Sequence, residues 1–186
     1  MECSGLTSIT IPSSVLSIAN GAFSACTALK KITVDSENPN YTSVDNVLFN
    51  KDRTTLVAYL NRKASHYDIP SSVSSIANGA FHGCSVVKTI AIPQSVTSIG
   101  DDAFRNCSLT SITIPSSVTD IGQFAFHNPY SALTEIHCQR NVPLPIRIYT
   151  FINAEKKKVK LYVPKGSKEL YAKAKEWGEF ATILEE

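Results

Sequence analysis

The feature that most constrains this chain is a short motif that occurs four times at regular spacing. An Ile-Pro dipeptide is followed, eleven residues after its proline, by a phenylalanine that itself follows an alanine. The four copies begin at Ile11-Pro12, Ile69-Pro70, Ile92-Pro93 and Ile114-Pro115, and their phenylalanines are Phe23, Phe81, Phe104 and Phe126. Successive units are about 23 residues long, a period that is typical of stacked structural repeats.

One unit reads as a single coil of the chain. Leu6, Ile9 and Ile11 have the apolar spacing of a short strand, and Pro12 ends that strand because it has no N–H to donate. A Ser-Ser turn and a second short apolar stretch follow. We expect Phe23 to point inward from a short helical turn at the end of the unit.

A single coil of this kind is not stable alone. Burying about seven apolar side chains stabilises it by roughly 14 kcal/mol, whereas ordering each residue of its backbone costs roughly 1–2 kcal/mol. The coils must therefore stack and share a core. The sequence predicts a leucine-rich-repeat solenoid of about four to five β-rich, right-handed coils with short helical turns.

The regular spacing is interrupted once, between Pro12 and Pro70, where the distance exceeds one period by about 35 residues. Two apolar runs, residues 44–49 and 55–60, flank a polar segment, which is the pattern of a hairpin. The sequence therefore predicts a β-hairpin insert over about residues 35–68.

The repeats are predicted to occupy residues 1–137, and residues 138–186 a strand and a capping helix of the same domain. Ser167 is a suitable N-cap for that helix. The apolar residues with helical spacing after it are Leu170, Tyr171, Ala174 and Trp177. Such a helix would cover the open end of the core. At the other end, Cys3 stands where a unit closes, which predicts that the chain begins within a repeat.

Two repeated segments resemble a known family. Leu-Thr-Ser-Ile-Thr-Ile-Pro-Ser-Ser-Val and Ser-Ile-Gly-Asp-Asp-Ala-Phe-Arg-Asn-Cys are similar to the BspA-type leucine-rich repeat of bacterial surface proteins, and the resemblance covers most of residues 3–137. It implies a protein that is exported or attached to the cell surface. It also implies a role in adhesion, which some members of the family have.

Two surfaces are candidate binding sites. On each strand, the side chains between the inward apolar residues are expected to face the concave side of the solenoid. These residues are Thr7, Ser8, Thr10, Lys30, Lys31, Thr33, Lys88, Thr89, Ala91, Thr110, Ser111, Thr113, Thr134, Glu135 and His137. Most of these side chains carry hydroxyl groups and some are lysines, so this surface could bind a polypeptide or a glycan. The hairpin insert is a rival contact surface, through Tyr41, Arg53, Tyr59 and Arg62.

The cysteines and one oxygen-rich segment are the candidate metal-binding and redox-active residues of this sequence. Four of the five cysteines share one repeat position, which favours small buried thiols, with a disulfide between coils or a zinc site as alternatives. These four are Cys3, Cys26, Cys84 and Cys107. Asp35, Glu37, Asn38 and Asn40 form an oxygen-rich segment that is either an ordinary polar turn or, as the alternative, a calcium site.

The composition narrows the function further. A formal net charge of +2 is too small to indicate a nucleic-acid partner, and no apolar run approaches the roughly 20 residues of a membrane span. An enzyme would need an acid, base or nucleophile set, and none emerges, so no catalytic residue, cofactor or metal is predicted. We expect a monomeric, non-enzymatic module of a cell-surface or secreted protein that binds an extracellular protein or glycan. The alternative is a structural spacer that displays another domain.

Overall fold

The computed structural model describes residues 5–24, 26, 28–60, 64–128, 133–147, 149–152 and 155–186. In this part, the chain forms a β-solenoid of about seven turns that lie about 23 residues apart. Its strands are β1 (Ser8–Ile11), β2 (Lys31–Val34), β3 (Tyr41–Val44), β4 (Val47–Asn50), β5 (Thr55–Tyr59), β6 (His66–Asp68), β7 (Ser75–Ile76), β8 (Thr89–Ala91), β9 (Ser98–Ile99), β10 (Ser111–Ile114), β11 (Asp120–Ile121), β12 (Glu135–Cys138), β13 (Lys160–Val163) and β14 (Thr182–Glu185). Helix α1 spans Lys168–Lys173, and one turn of 3-10 helix spans Trp177–Glu179.

One strand of each coil belongs to a parallel ladder, which we call the first ladder. Parallel pairing joins β1 to β2, β6 to β8, and β10 through β12 and β13 to β14. The Thr110 N–H donates to the Lys88 carbonyl oxygen and links the coils of β8 and β10. The central residue of most strands is a buried isoleucine, such as Ile32, Ile90 or Ile112. Apolar residues at alternate strand positions therefore fix the register, because a slip by one residue would turn them toward solvent.

A second sheet lies on another side of the coils. Strands β5, β7, β9 and β11 pair in parallel, and β3 and β4 extend the sheet with antiparallel pairing to β5. The predicted hairpin is present as β4 and β5. A further hairpin joins β3 to β4 through Asp45 and Asn46, which both have positive φ (50° and 62°) as a type I′ turn requires.

About seven turns exceed the four to five that we expected. Of the additional ladder strands, β13 and β14 lack the Ile-Pro signal. Strand β6 leads into Ile69-Pro70 but has Tyr67 where the other ladder strands have isoleucine or leucine. The predicted division at residue 137 falls inside β12, and residues beyond it continue the first ladder.

The turns at the coil corners are hydrogen-bonded turns, and the structure assigns no helix to them among the residues it describes. For example, the Ala22 N–H donates to the Ala19 carbonyl oxygen and the Cys26 N–H to the Phe23 carbonyl oxygen. The chain therefore bends at these corners as predicted, but it does so through hydrogen-bonded turns and not through helices.

The C-terminal helix is present but is shorter than the predicted stripe. Ser167 is its N-cap residue without a side-chain capping bond. Instead, the Glu185 carboxylate accepts hydrogen bonds from the backbone N–H groups of Gly166 and Lys168. Leu170 is 49% exposed and does not belong to the core face, whereas Tyr171 and Trp177 are buried.

The core consists of two clusters with the hairpin between them. Leu48 on β4 packs with the first two coils, whereas its neighbours Val47 and Phe49 pack with the remaining coils. Successive side chains of a strand point to opposite faces, so β4 contributes to both clusters. The hairpin insert is thus an internal layer of the solenoid.

Candidate functional site

The outward side chains of the first ladder lie on three groups of paired strands, β1 with β2, β6 with β8, and β10 through β12 and β13 to β14, and we call them together the ladder face. Strand register aligns Ser8 with Lys31 and Thr10 with Thr33, and the Oγ1 atoms of these two threonines are 2.9 Å apart. Every concave-face residue that the sequence predicts is exposed or half-buried, and those within strands flank the buried central residues. Thr7, Lys30, Lys88, Thr110 and Thr134 directly precede their strands.

Strand β6 adds two residues to the ladder face that the sequence did not predict, His66 and Asp68. His66 lies opposite Thr89 and Asp68 opposite Ala91. The His66 ring is hydrogen-bonded through Nδ1 to Thr89 Oγ1 at 2.6 Å and through Nε2 to Asp68 Oδ1 at 3.0 Å. The Tyr67 side chain is half-buried, and burial is the main cause that raises its pKa to about 12, with contributions from Tyr59 and Asp45.

The hydroxyl, imidazole and carboxylate of Thr89, His66 and Asp68 follow the order of a catalytic triad. The His66 and Asp68 side chains are however 53% and 78% exposed, so water competes for each bond and screens its charge. Triad chemistry also needs oxyanion donors and a dry site, which this open surface does not supply. The arrangement fits a hydrogen-bonding patch.

An aromatic pair stands at the C-terminal end of the ladder face. The rings of His137 and Tyr162 are stacked, with centroids 4.5 Å apart and planes at 4°. His137 Nδ1 lies 2.9 Å from a Glu186 carboxylate oxygen, and Leu184 is 37% exposed beside Tyr162 in the register. The sequence predicted His137 as a contact residue but not Tyr162, because Tyr162 belongs to β13, a strand beyond the recognised repeats.

The predicted insert surface does not form one site. Tyr59 is only 2% exposed and its ring stacks on Phe81 at 4.9 Å, so the structure removes it from the contact surface. Burial also raises the pKa of Tyr59 to about 12, with a smaller contribution from Cys84. Tyr41 is half-buried and its hydroxyl oxygen accepts a hydrogen bond from the Ile18 N–H. Arg62 lies outside the described residues.

Arg53 is exposed and lines a cavity of about 260 Å³ between the hairpin and β6. Asp68, which belongs to the ladder face, lines the same cavity, as do Phe49 and Tyr67. Arg53 therefore lies beside the ladder face and does not belong to a separate site on the insert.

The cysteines occupy core positions. Cys84 and Cys107 are buried free thiols, and Cys107 Sγ lies 2.9 Å from the Phe81 carbonyl oxygen of the preceding coil. Burial, and then the neighbouring Cys84, raises the pKa of the Cys107 thiol well above its usual value. Cys26 is buried at the same repeat position, and Cys3 lies outside the described residues. Small buried thiols were the favoured interpretation, and the pair Cys84 and Cys107 fits it.

Hydrogen bonds to other segments of the chain hold the oxygen-rich turn in place. The Asn38 side chain is fully buried, and its Nδ2 donates to the Pro12 and Val15 carbonyl oxygens. Lys51 Nζ donates to the carbonyl oxygens of Ser36 and Asn38, so a cation of the chain already lies against the turn. In the described part of the chain, no three His, Cys, Asp or Glu residues form a group that could hold a metal ion.

The comparisons with known proteins agree with this architecture. The BspA type leucine rich repeat region model matches residues 1–57 and 55–174 in six copies. A leucine-rich repeat protein from Eubacterium ventriosum has 31% identity and a TM-score of 0.74, over 85% of this chain and 42% of that one. A leucine rich cell surface protein from Faecalibacterium prausnitzii has 25% identity and a TM-score of 0.64, over 95% of this chain and 51% of that one.

The pneumococcal vaccine antigen PcpA shares the fold, with 22% identity and a TM-score of 0.61 over 97% of this chain and 56% of its own. The chain thus spans about half of the length of these structures. No curated protein shows significant sequence similarity. No helix in the part of the chain described by the structure is long and apolar enough to cross a membrane. Since six repeat copies cover nearly all of the sequence, the chain belongs to the BspA-type leucine-rich repeat family.

Proposed function

We propose that this chain is a non-enzymatic binding module of a bacterial cell-surface or secreted protein, and that its ladder face binds an extracellular protein or glycan. The observation that carries the proposal is the ladder face itself. Polar side chains and one aromatic pair are exposed there on strands from β1 to β14, above a buried row of apolar residues. A long row of separate donors and acceptors suits an extended ligand that is bound by many weak contacts.

The two ends of the ladder face differ in charge. Around β1 and β2, the predicted contact residues carry hydroxyl groups or lysine side chains, and Lys30 and Lys31 are exposed, as is Lys88 directly before β8. At the C-terminal end, Glu135 and Glu186 lie near His137, and one exposed lysine, Lys160, lies opposite Glu135 in the register. Such a distribution favours one orientation of a ligand, with its acidic groups toward β1 and β2.

The aromatic pair offers a place where binding energy could concentrate. Tyrosine is enriched among the residues that contribute most to interfaces, and the Tyr162 side chain is half-buried beside His137. Its ring is therefore held in place before a ligand arrives, which lowers the entropy cost of binding.

A cell-surface or secreted location is part of the same proposal. The support is the family, together with the Faecalibacterium prausnitzii relative, which is a leucine rich cell surface protein.

The test begins with the chain on arrays of extracellular-matrix proteins and glycans. A triple variant, Lys30→Glu with Lys31→Glu and Lys88→Glu, is expected to weaken binding of an array hit at least tenfold. The matched control changes three exposed lysines away from the first ladder's N-terminal end, Lys157→Glu, Lys165→Glu and Lys175→Glu. It has the same change of net charge and should bind like the parent chain.

Equal losses in the two triple variants would point to a general charge effect and contradict binding at the ladder face. Absence of any array hit would instead favour the spacer function. Hydrolysis of an array component that is abolished by Thr89→Val or His66→Gln would make the chain an enzyme.

A further inference from the structure

A cavity of about 210 Å³ lies where the hairpin interrupts the regular stack of coils. The corner of the first coil, residues 18–23, forms one wall. Strands β3, β4 and β5 form another, and residues 77–79 of a later coil form the third. None of its lining residues belongs to the first ladder, so the cavity is separate from the ladder face.

The cavity exists because two coil corners that are not adjacent in sequence approach each other. The His82 ring nitrogen Nδ1 is hydrogen-bonded to the Ser24 carbonyl oxygen, across 58 residues of chain. Gly79 has a φ of +66°, and a side chain there would collide with Ser24. The corners therefore meet over the hairpin, and the space between them is lined by Phe23 and Tyr41.

The lining of the cavity carries no formal charge, because no Asp, Glu, Lys, Arg or His contributes to it. A charged ligand would have to leave water without meeting a counter-charge, which is costly. Two aromatic side chains, Phe23 and Tyr41, also line the cavity. The cavity wall thus consists of aromatic rings and neutral polar groups.

Several of these polar groups have hydrogen-bonding capacity to spare. The Tyr41 hydroxyl accepts from the Ile18 N–H, which leaves its own hydrogen available for a ligand. Toward the residues that the structure describes, the Asn78 side chain uses only its oxygen, as the acceptor for the Asp101 N–H, which leaves its amide hydrogens available. The exposed Asn20 side chain makes no hydrogen bond to any of the described residues.

We infer that this cavity is a second binding site, for a single neutral sugar ring. Hydroxyl groups of the ring would bond to the amides of Asn20 and Asn78 and to the Tyr41 hydroxyl, and its C–H face would pack on an aromatic ring. The volume is below the about 300–1,000 Å³ of sites for drug-sized ligands. That limits the ligand to one ring and its affinity to the millimolar order.

Saturation-transfer NMR on the whole chain tests this site. The probes are four neutral sugars (glucose, galactose, mannose and N-acetylglucosamine) and two charged ones (glucuronate and N-acetylneuraminate). We expect at least one neutral sugar to bind with a dissociation constant on the order of millimolar and the charged sugars to bind at least tenfold more weakly.

Two variants locate the binding. Asn20→Ala removes one hydrogen-bonding group and should weaken binding about fivefold, while Ala22→Trp, at an exposed lining residue, should abolish it. Asn141→Ala, at another exposed asparagine, is the control and should bind like the parent. The triple lysine variant of the ladder face should also bind normally, which separates this site from the proposed function.

The inference is overturned if none of the neutral sugars binds, or if charged sugars bind as well as neutral ones. It is equally overturned if sugar binding is the same in Asn20→Ala as in Asn141→Ala. Thermal unfolding of each variant confirms that it is folded, and Asn20→Ala decides the question if Ala22→Trp does not fold.

Discussion

At the scale of single residues, Asn38 joins two coils although its position in a polar turn suggested an ordinary loop residue. Its amide nitrogen donates to two carbonyl oxygens of the first coil, and its amide oxygen accepts from the N–H groups of Asn40 and Tyr41. All of its polar atoms are satisfied while the side chain is fully buried. Buried polar groups stabilise a fold only when they are paired in this way.

Replacing Asn38 by Asp should therefore destabilise the chain by about 3–5 kcal/mol, because a buried carboxylate cannot donate to the two carbonyl oxygens. Asn40→Asp is the matched control, since Asn40 is exposed and its side chain donates to one carbonyl oxygen, that of Leu16. It should lose about 1 kcal/mol. Urea unfolding at pH 7 measures both changes, and equal losses would mean that Asn38 does not join the coils.

Cys138 is a second residue whose role depends on its surroundings. It is the last residue of β12 and lies opposite Ile114 in the register. Burial raises the pKa of its thiol to about 12, a hydrogen bond with Tyr171 lowers it, and Glu186 raises it slightly. Below pH 9 the thiol is protonated in both the folded and the unfolded chain. Above pH 9 the unfolded chain loses this proton first, so stability falls until the folded thiol also ionises near pH 12.

The prediction is that the parent chain loses stability more steeply than Cys138→Val between pH 9 and 11, by about 1.4 kcal/mol per pH unit. Valine keeps an apolar side chain at this position, as Val163 does in the next strand of the ladder. The measurement is urea unfolding under reducing conditions at several pH values. Parallel stability curves for the two chains would show that the thiol does not titrate in this way.

At the scale of elements, the hairpin has become part of the solenoid wall. Strand β5 pairs with β7 in parallel as a regular member of the second sheet, while β4 and β3 extend that sheet. Strand β4 is buried at Val47, Leu48 and Phe49, because core clusters lie on both of its faces. The sequence marks the insert as an interruption of the repeat. In the structure, the insert packs against the first two coils on one face and against the other coils on the opposite face.

Leu48→Ala should cost about 2–5 kcal/mol and should weaken the first two coils in particular. Hydrogen exchange should show lost protection in β1 and β2 and little change in β10 and β12. Val47→Ala changes the opposite face of the same strand and should leave β1 and β2 protected. Uniform loss of protection along the chain in both variants would mean that the two clusters unfold as one unit.

At the scale of the whole molecule, a stack of aromatic rings runs along the inside of the solenoid. Neighbouring ring centroids are 4.9–5.4 Å apart from Tyr59 through Phe81, Phe104, Phe126 and Phe151 to Trp177. Trp177 also donates from Nε1 to the Leu144 carbonyl oxygen and closes the stack against the C-terminal helix. The coils from β5 to the C-terminal helix thus contact their neighbours through one ring each, as expected of an array stabilised by interactions between adjacent repeats.

Phe104→Ala should destabilise the molecule by about 3–5 kcal/mol, because it removes a buried ring between two others. Phe23 has the same repeat position but is half-buried and outside the stack. Phe23→Ala should therefore cost less than half as much. Thermal and urea unfolding compare the two variants, and a loss below 1 kcal/mol for Phe104→Ala would mean that the ring does not stabilise the core.

The sequence analysis predicted the coils, the hairpin and the outward residues of five ladder strands, since each depends on a local pattern. It missed the ladder-face residues His66, Asp68 and Tyr162. His66 and Asp68 lie on β6, which leads into Ile69-Pro70 but has a tyrosine at its central position, and Tyr162 lies on β13, which lacks the Ile-Pro signal. Only pairing with neighbouring strands places these residues. The buried state of Tyr59 was missed for a related reason, because tyrosine is equally common at surfaces and in partly buried positions.

The sequence by itself determined the period, the fold family and the inward residue of each recognised coil. These follow from residue spacing, because a repeated pattern of apolar side chains can be buried only if the coils stack. The tertiary structure decided how many coils there are, where the hairpin lies and which corners meet to form the 210 Å³ cavity. Contacts such as that of His82 with Ser24 join residues 58 positions apart, and no local spacing specifies which distant segments will approach each other.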